Sequence, residues 1–281
     1  MNIAAALIAA REVLQQSGIA EPRREASSLM TYALDKPSAF LIAHPEYELK
    51  ATENGLFNDI VKRRSNREPF QYIVGHQEFY GLDFEVSPAV LIPRPETEIL
   101  VEDAIETLRA LDNPTFCEIG VGSGCISVSI LHNVKNATAV GVDISDKALA
   151  MARRNAATHQ VADRIKFIEG DVFGGLAGKF DMIVSNPPYI PDGDVMELQP
   201  EVRDFEPHDA LDGGPDGLNI VRRIARESPE HLTSRGVLLV EIGFDQSGAV
   251  SELFDLSMWE TPVFLPDLQG VARVLRARSR S

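Results

Sequence analysis

The sequence predicts an α/β fold in which a small N-terminal helical bundle and a linking β-hairpin precede a mostly parallel sheet of seven strands. From residue 93 onward, short apolar runs alternate with helical patterns, an order that builds a parallel sheet covered on both faces. Residues 1–77 instead show apolar side chains at helical spacing. Aromatic and apolar residues alternate around a glycine-containing turn between these regions, so we place the hairpin at residues 78–92.

The first 77 residues are predicted to form three or more short helices. Apolar residues recur at helical spacing from Ile3 to Leu14, a second helix opens at Pro22, and a third is centred on residues 56–61. The third helix is followed by the basic residues Lys62, Arg63, Arg64 and Arg67. Because cations at the end of a helix usually cap it in solvent, we expect this basic group to be solvated rather than in contact with a partner.

The apolar runs of the second region predict the seven strands of the sheet. They lie near residues 115–119, 137–142, 165–168, 181–185, 236–241, 261–265 and 271–277. In sheets of this kind, ligands bind beyond the carboxyl ends of the strands, where the strand order reverses. Residues that follow these strands are therefore the candidates for a functional site.

Charge is distributed unevenly along the chain. Residues 1–77 carry nine Lys/Arg and nine Asp/Glu, whereas residues 78–281 carry eighteen and thirty-three, so the net charge of −15 arises in the second region. A surface of that sign repels phosphate-rich ligands. The sequence therefore argues against direct binding of nucleic acid.

Composition also indicates the class and compartment of the protein. A hydrophobic fraction of 44% with 25% charged residues is ordinary for a folded globular protein. Residues 1–10 lack the basic lead of a secretory signal, and no uncharged run reaches bilayer length, so we expect a cytoplasmic protein without a membrane partner. The two cysteines, Cys117 and Cys125, have no Cys or His at metal-ligand spacing, and we expect reduced thiols and no metal.

A glycine-rich turn follows the first strand of the predicted sheet. Its G-x-G-x-G spacing differs from the G-x-G-x-x-G of dinucleotide sites, which disfavours a pyrophosphate ligand. Asp143, at the end of the next strand, can accept hydrogen bonds from both hydroxyls of a ribose. Together these features predict a nucleoside site. The loop residues predicted to bind that cofactor are Gly120, Val121, Gly122, Ser123 and Gly124.

The end of the third strand of the sheet is predicted to flank the adenine ring of this nucleoside. Asp171 ends that strand and Val172 follows it. Val172 is an apolar candidate for packing on the ring, and ordinary core or loop filling is the alternative.

The segment Asn186-Pro187-Pro188-Tyr189 ends the fourth strand, at the same edge of the sheet as the glycine loop. Its prolines stiffen the backbone and carry no N–H. The side-chain carbonyl of Asn186 and the backbone carbonyl of Pro187 can then accept both hydrogens of an NH₂ group, while Tyr189 packs on the flat face of the substrate. Pro188 completes the predicted substrate-binding segment.

The lone pair of a planar amide or amino nitrogen is delocalised, which makes the nitrogen a poor nucleophile. Two acceptors on its N–H groups activate it for attack on a sulfonium methyl group. We therefore predict an S-adenosylmethionine-dependent methyltransferase of the class I, Rossmann-like type. Asn186, Pro187 and Tyr189 are the predicted catalytic residues, and Asn186 is also expected to contact the cofactor.

With these motifs, the chain resembles the release factor glutamine methyltransferases, the PrmC/HemK family, over essentially its full length. The stretch Arg94-Pro95-Glu96-Thr97-Glu98 is far more specific to that family than Asn-Pro-Pro-Tyr, which other amino methylases share. The further matching stretches are residues 67–75, 91–93, 120–124, 186–190, 205–207 and 210–218.

The resemblance implies methylation of the side-chain amide nitrogen (N5) of the Gln in the Gly-Gly-Gln motif of peptide chain release factors. It also implies S-adenosyl-L-methionine as cofactor and an N-terminal helical domain that helps to hold the protein substrate; we expect a monomer. Two positions depart from the family: Glu118-Ile119 stand where Asp-Leu is frequent, and an aromatic residue can occupy the position of Val172.

Three alternatives remain open at this level. An adenine-N6 nucleic-acid methyltransferase would use the same grip, but the chain lacks a basic stripe with interleaved aromatic residues. A glutamine methylase of a ribosomal protein would act on an identical chemical group. A regulatory nucleoside-binding module would bind the cofactor without turnover, and the intact Asn-Pro-Pro-Tyr segment argues against it.

Residues 192–216 carry nine acidic side chains and one arginine. The catalytic loop of a release factor works against ribosomal RNA, so an acidic rim could steer basic surroundings of that loop toward the site. A solvated acidic loop is the alternative.

Overall fold

The computed structural model describes residues 1–280, which form two compact units. Residues 1–75 and 199–205 make up the first unit, and residues 76–198 with the chain from Glu206 onward make up the second. Among the helices of residues 1–280, none combines the length and apolar character needed to cross a bilayer.

The first unit is a bundle of helices, as predicted. Leu14, Leu29 and Phe57 are among the apolar side chains that form its core. Asn2 caps the first helix, because its Oδ1 accepts a hydrogen bond from the Ala5 N–H at 3.0 Å. The helices of this unit are α1 (Ile3–Gln16), α2 (Pro22–Leu34), α3 (Ser38–Ala43), α4 (Ala51–Ser65), α5 (Phe70–Val74) and, much later in the chain, α9 (Pro200–Arg203).

The basic end of α4 is not solvated at Arg64. This side chain is buried at 5% exposure and donates to Glu25 from Nε at 2.6 Å and to Glu201 of α9 from Nη2 at 3.0 Å. Arg67 forms a second ion pair with Glu201. The expectation of a solvated group is wrong for Arg64, because a buried guanidinium requires carboxylate partners and one of them lies 137 residues away in the sequence.

The second unit begins with the predicted hairpin, and its aromatic residues Phe79 and Phe84 are buried in the core. Strands and helices then alternate. The strands are β1 (His76–Phe79), β2 (Leu82–Glu85), β3 (Thr115–Ile119), β4 (Thr138–Asp143), β5 (Ile165–Glu169), β6 (Phe180–Ser185), β7 (Leu232–Glu241), β8 (Val263–Pro266) and β9 (Ala272–Arg278). The helices are α6 (Glu98–Arg109), α7 (Cys125–Asn133), α8 (Asp146–Thr158), α10 (Asn219–His231) and α11 (Ser247–Ser251).

Seven strands form one sheet in the order β5-β4-β3-β6-β7-β9-β8. The first five of these are parallel, and β9 pairs antiparallel with both β7 and β8. Successive residues of β3 enter cores on opposite faces, since Phe116 packs with α6 and α7 and Cys117 packs with α10. The predicted fold class, a class I methyltransferase fold with a mostly parallel sheet of seven strands, is confirmed.

The strand order reverses between β3 and β6. From β3 the chain continues to β4 and β5 on one side, then returns to place β6 on the other side. Ile119 pairs with both Val142 and Ser185, so the residues that follow β3, β4 and β6 leave the sheet at one edge. This edge holds the candidate site.

Candidate active site

The loop between β3 and α7 folds back onto the end of β4. Gly120, Gly122 and Gly124 have φ angles of 75°, 56° and 81°, which glycine adopts without the steric cost of a Cβ. The N–H groups of Gly120 and Val121 both donate to the Val142 carbonyl, at 2.8 and 3.2 Å. The loop is therefore held beside the residue that follows Val142.

That residue is Asp143, and its carboxylate organises the loop. Oδ2 accepts from the Gly122 N–H at 2.8 Å and Oδ1 accepts from the Ser145 N–H at 2.9 Å. Burial raises the pKa of Asp143, against the effect of these two hydrogen bonds. Each oxygen retains a further lone pair, so the carboxylate can still accept from two ligand hydroxyls.

Val172 is both a core residue and a cavity residue. Its side chain belongs to the core packed against β6 and α10, and it also lines the cavity described below. Its φ of 56° is unfavourable for a β-branched residue. The neighbouring Asp171 forms an ion pair with Arg223, in which Nη1 lies 2.8 Å from Oδ1.

Asn186 follows β6, and a hydroxyl from a distant segment holds its amide. Its Nδ2 donates to Oγ1 of Thr97 at 3.1 Å. Thr97 is buried and comes from the Arg-Pro-Glu-Thr-Glu stretch, in the turn that precedes α6. The structure thus places the Arg-Pro-Glu-Thr-Glu stretch in contact with the Asn-Pro-Pro-Tyr segment.

Other parts of the chain hold both the backbone and the ring of Tyr189. Its carbonyl accepts from Nε2 of Gln246 at 2.9 Å, and a Cβ on Gly217 would lie 2.3 Å from the same oxygen. Its ring packs against Gly243, and burial raises the pKa of its hydroxyl to about 12. The segment after Pro188 is therefore fixed from two sides, and the phenol stays protonated at neutral pH.

A cavity of about 470 Å³ lies at this edge of the sheet, within the size range of small-molecule sites. Tyr189 and Gly124 are not part of its lining. Among residues 1–280, no group of His, Cys, Asp or Glu side chains is arranged to hold a metal ion. The predicted site residues that line the cavity are Gly120, Val121, Gly122, Ser123, Asp143, Val172, Asn186, Pro187 and Pro188.

Glu118 presents a buried carboxylate to the same cavity. Its Oε2 accepts from the Ser127 N–H at 3.0 Å and from the Ser127 hydroxyl, whereas Oε1 has no partner within residues 1–280. Burial raises the pKa of Glu118 to about 8. An unpaired buried acceptor is costly, so this oxygen marks a place where a donor or a cation of a ligand fits.

Glu118 should make the stability of the protein depend on pH. Its pKa is about 8 in the folded protein and 4.5 in its reference state. Between these values the folded protein keeps a proton that the unfolded chain has lost, so the free energy of unfolding falls as the pH rises. Glu118→Gln does not titrate, so it should remove on the order of 4 kcal/mol of that fall between about pH 5 and pH 9.

Urea unfolding at several pH values measures this difference. Glu106→Gln removes an exposed carboxylate of α6 and should follow the parent protein. Identical pH slopes for the parent and Glu118→Gln would contradict the assignment.

Sequence reasoning missed three buried polar residues at this edge: Thr97, Glu118 and Glu241. Thr97 belongs to the Arg-Pro-Glu-Thr-Glu stretch, and Glu118 and Glu241 belong to predicted strands. For Glu118 and Glu241 the available signal was a carboxylate at or near the end of an apolar strand, where an unpaired charge would not be expected. The structure adds that Thr97 accepts a hydrogen bond from Asn186 Nδ2, and that Oε2 of Glu241 is buried without a hydrogen-bond partner within residues 1–280.

Arginines pair with four of the nine acidic residues in the segment 192–216. Glu206 is buried and pairs with Arg94 at 2.6 Å. Three further acidic residues of the segment pair with arginines: Glu201, Asp204 and Asp216. The pairing with arginines favours a structural role for these four of the nine acidic residues.

Comparison with known proteins agrees with this geometry. The PrmC N-terminal domain family matches residues 5–75, and the methyltransferase small domain family matches residues 97–199. A methyltransferase structure from Pyrococcus furiosus has a TM-score of 0.53 at 17% identity, covering 78% of this chain and 98% of that chain, which shows the fold alone.

Two relatives extend over almost the entire chain. A release factor glutamine methyltransferase of Geobacter sulfurreducens is 42% identical over 269 residues, 95% of this chain and 93% of its own length. One from Koribacter versatilis is 39% identical over 280 residues, 99% of either chain. Similarity of this extent shows that the chain belongs to the release factor glutamine methyltransferase family.

Proposed function

We propose that this protein transfers a methyl group from S-adenosyl-L-methionine to the side-chain amide nitrogen (N5) of the Gln in the Gly-Gly-Gln motif of peptide chain release factors. The observation that carries the proposal is the shared cavity, which the glycine loop, Asp143 and Asn186 all line. A nucleoside and an NH₂ group can therefore meet in one place. The names of the relatives support the choice of substrate.

The residues of the cavity suit this cofactor. Asp143 would accept from the ribose hydroxyls, and Val172 would pack on the adenine ring. Loss of its proton would turn the unpaired Oε1 of Glu118 into an acceptor for a cationic ligand, and the glycine loop lets the ligand approach the backbone. When bound, S-adenosylmethionine supplies an electrophilic methyl group on a positively charged sulfur.

Asn186 and Pro187 would prepare the nucleophile. Oδ1 of Asn186 and the carbonyl of Pro187 accept the two N–H groups of the glutamine amide, which favours a pyramidal nitrogen with an exposed lone pair. Pro187 and Pro188 add no competing N–H donors. Tyr189 does not line the cavity, so we assign it the role of fixing this segment rather than contact with the amide. After transfer, the nitrogen gives up one proton to solvent.

We further propose that the protein acts as a monomer in the cytoplasm, where translation ends, and that the helical first unit helps to hold the release factor. Direct binding of nucleic acid is not part of the proposal, because the catalytic region carries most of the negative charge. Sedimentation of the protein over a range of concentrations tests the monomer.

Incubation with methyl-labelled cofactor and purified release factors tests the proposed reaction directly. We expect one label per release factor, located by mass spectrometry on the Gln of Gly-Gly-Gln. A release factor with that Gln replaced by alanine should stay unlabelled.

Parallel incubations separate the rival substrates. Duplex DNA rich in adenine and a mixture of ribosomal proteins should remain unlabelled under the same conditions. Label on either of these substrates, with none on the release factors, would overturn the proposal, and cofactor binding without any transfer would favour a regulatory module.

A further inference from the structure

The Asn-Pro-Pro-Tyr segment is anchored at both of its ends. Before it, Ser185 pairs with Ile119 in the sheet, and its buried hydroxyl donates to the Ile119 carbonyl at 2.8 Å. At its far end, the Tyr189 carbonyl accepts from Nε2 of Gln246 at 2.9 Å. Within residues 1–280, no other donor hydrogen-bonds to that carbonyl. The first anchor belongs to the sheet, whereas the second depends on one side chain.

Gln246 reaches Tyr189 from the loop that follows β7. Its Oε1 accepts from the Gly243 N–H at 2.8 Å, while its Nε2 donates to the Tyr189 carbonyl. A backbone N–H only donates and a backbone carbonyl only accepts, so these two partners fix the orientation of the Gln246 amide. A reversed amide would face a donor with its NH₂ group and an acceptor with its oxygen. Gln246 therefore bridges the β7 loop and the segment in one orientation.

Two glycines leave the space that this bridge needs. A Cβ on Gly243 would lie 2.8 Å from Gln246 Oε1, and a Cβ on Gly217 would lie 2.7 Å from Nε2 and closer still to the Tyr189 carbonyl. Both distances are shorter than side-chain carbons tolerate. Gly217 also has a φ of 75°, which favours glycine. The surrounding backbone is therefore shaped to admit the Gln246 amide at this place.

The anchored carbonyl lies two residues from the carbonyl that would bind the substrate. The ring of Pro188 locks its φ angle, so few rotatable bonds separate the Tyr189 carbonyl from the Pro187 carbonyl. A shift at Tyr189 would therefore move Pro187 as well. Gln246 does not line the cavity, whereas Pro187 does, so the effect of Gln246 on a substrate passes through the segment.

We infer that Gln246 is a positioning residue, which holds the Pro187 carbonyl where it accepts an N–H of the glutamine amide. This inference rests on the proposed function. Small displacements of a group at the reacting centre cost about 100-fold in rate, even when the altered residue is remote from the chemistry. Cofactor affinity should change little, because the glycine loop and Asp143 follow other strands, β3 and β4.

A purely local role for Gln246 is the alternative, since it also holds Gly243 within its own loop. The two roles depend on different atoms of the amide. The local role needs Oε1, which accepts from Gly243, and the positioning role needs Nε2, which donates to Tyr189. Substitutions that keep only one of these functions therefore distinguish the two roles.

Three substitutions of Gln246 form the test. Gln246→Glu keeps an acceptor for Gly243 but turns a second acceptor toward the Tyr189 carbonyl. Gln246→Lys keeps a donor for that carbonyl and offers no acceptor, and Gln246→Met keeps neither. We expect the single-turnover rate of release factor methylation to fall about 10- to 100-fold in Gln246→Glu and Gln246→Met, and to stay within about fivefold of the parent in Gln246→Lys.

A separate measurement distinguishes positioning from a general loss of structure. Calorimetry should give a Kd for S-adenosylmethionine within about twofold of the parent in all three variants. Damage to the fold would instead weaken cofactor binding together with the rate. Gln269→Glu, which alters an exposed glutamine in the turn between β8 and β9, is the matched control and should keep the parental rate and affinity.

The outcomes separate this inference from the proposed function. A rate in Gln246→Lys no higher than in Gln246→Met would overturn the positioning role, as would a parental rate in Gln246→Glu. The first comparison is sufficient if Gln246→Glu does not fold. In either case the parent protein still methylates the release factor, so the proposed function stands. If the parent protein itself leaves release factors unlabelled, the proposed function is wrong and the inference falls with it.

Discussion

Replacing Asn186 with alanine is expected to lower kcat for methylation of a release factor by two to three decades, or about 3 kcal/mol of transition-state stabilisation. The variant loses the side-chain oxygen that would accept one N–H of the substrate amide. The remaining Pro187 carbonyl can hold only one hydrogen, so the nitrogen lone pair stays delocalised. Single-turnover measurements with labelled cofactor give the rate of the chemical step.

A control for this change is available in the same unit. Asn136→Ala alters an exposed asparagine between α7 and β4 and should leave kcat at the parental value. In Asn186→Ala, the Kd for the cofactor should change far less than kcat, because the loss concerns the reacting nitrogen. If Asn186→Ala transfers methyl groups at the parental rate, the Asn-Pro-Pro-Tyr segment has no catalytic role.

The strands of the sheet could be predicted because each is a short apolar run with a local signature. β3 was predicted at residues 115–119 and has those bounds. β7 begins at Leu232, four residues before the predicted start at Gly236. Leu232 pairs with Phe180 before an irregularity in the ladder, and such pairing with a neighbouring strand leaves no pattern in the sequence of β7 itself.

The parts of the site whose conformation depends on glycine and proline could also be predicted from the sequence. Alternate glycines and paired prolines restrict the chain locally, so the loop at Gly120 and the segment at Pro187 could be placed without a structure. Asp143 was predicted from its position at a strand end, and the structure brings it into the same cavity.

The residues that hold these parts in place could not be predicted, because their partners are distant in the sequence. Thr97 and Asn186 are 89 residues apart, and Arg64 pairs with Glu201 across 137 residues. Composition also did not show that Glu206 is buried and paired with Arg94. Sequence indicates which groups are present, whereas only the fold shows which of them neutralise each other.

Asp143→Ala should weaken binding of the cofactor, whereas Asn186→Ala should slow the methyl transfer. In the proposed site, the carboxylate accepts from two ribose hydroxyls while it holds the glycine loop through Gly122. Hydrogen bonds to a charged group are worth about 1.5–3 kcal/mol each, so we expect the Kd for S-adenosylmethionine to rise about 100-fold. Calorimetry measures that Kd, and Asp146→Ala, an exposed carboxylate of α8, should change it little.

Asp143→Asn sharpens this test, because both carboxylate oxygens already accept from backbone N–H groups, of Gly122 and of Ser145. An asparagine must turn its NH₂ toward one of those donors, so it should weaken binding nearly as much as alanine does. At saturating cofactor, kcat should remain within about threefold of the parent, since the acceptors for the glutamine amide are unchanged. Parental affinity in both variants would show that Asp143 holds the loop without binding the ribose. A loss confined to kcat would place Asp143 on the substrate side of the cavity.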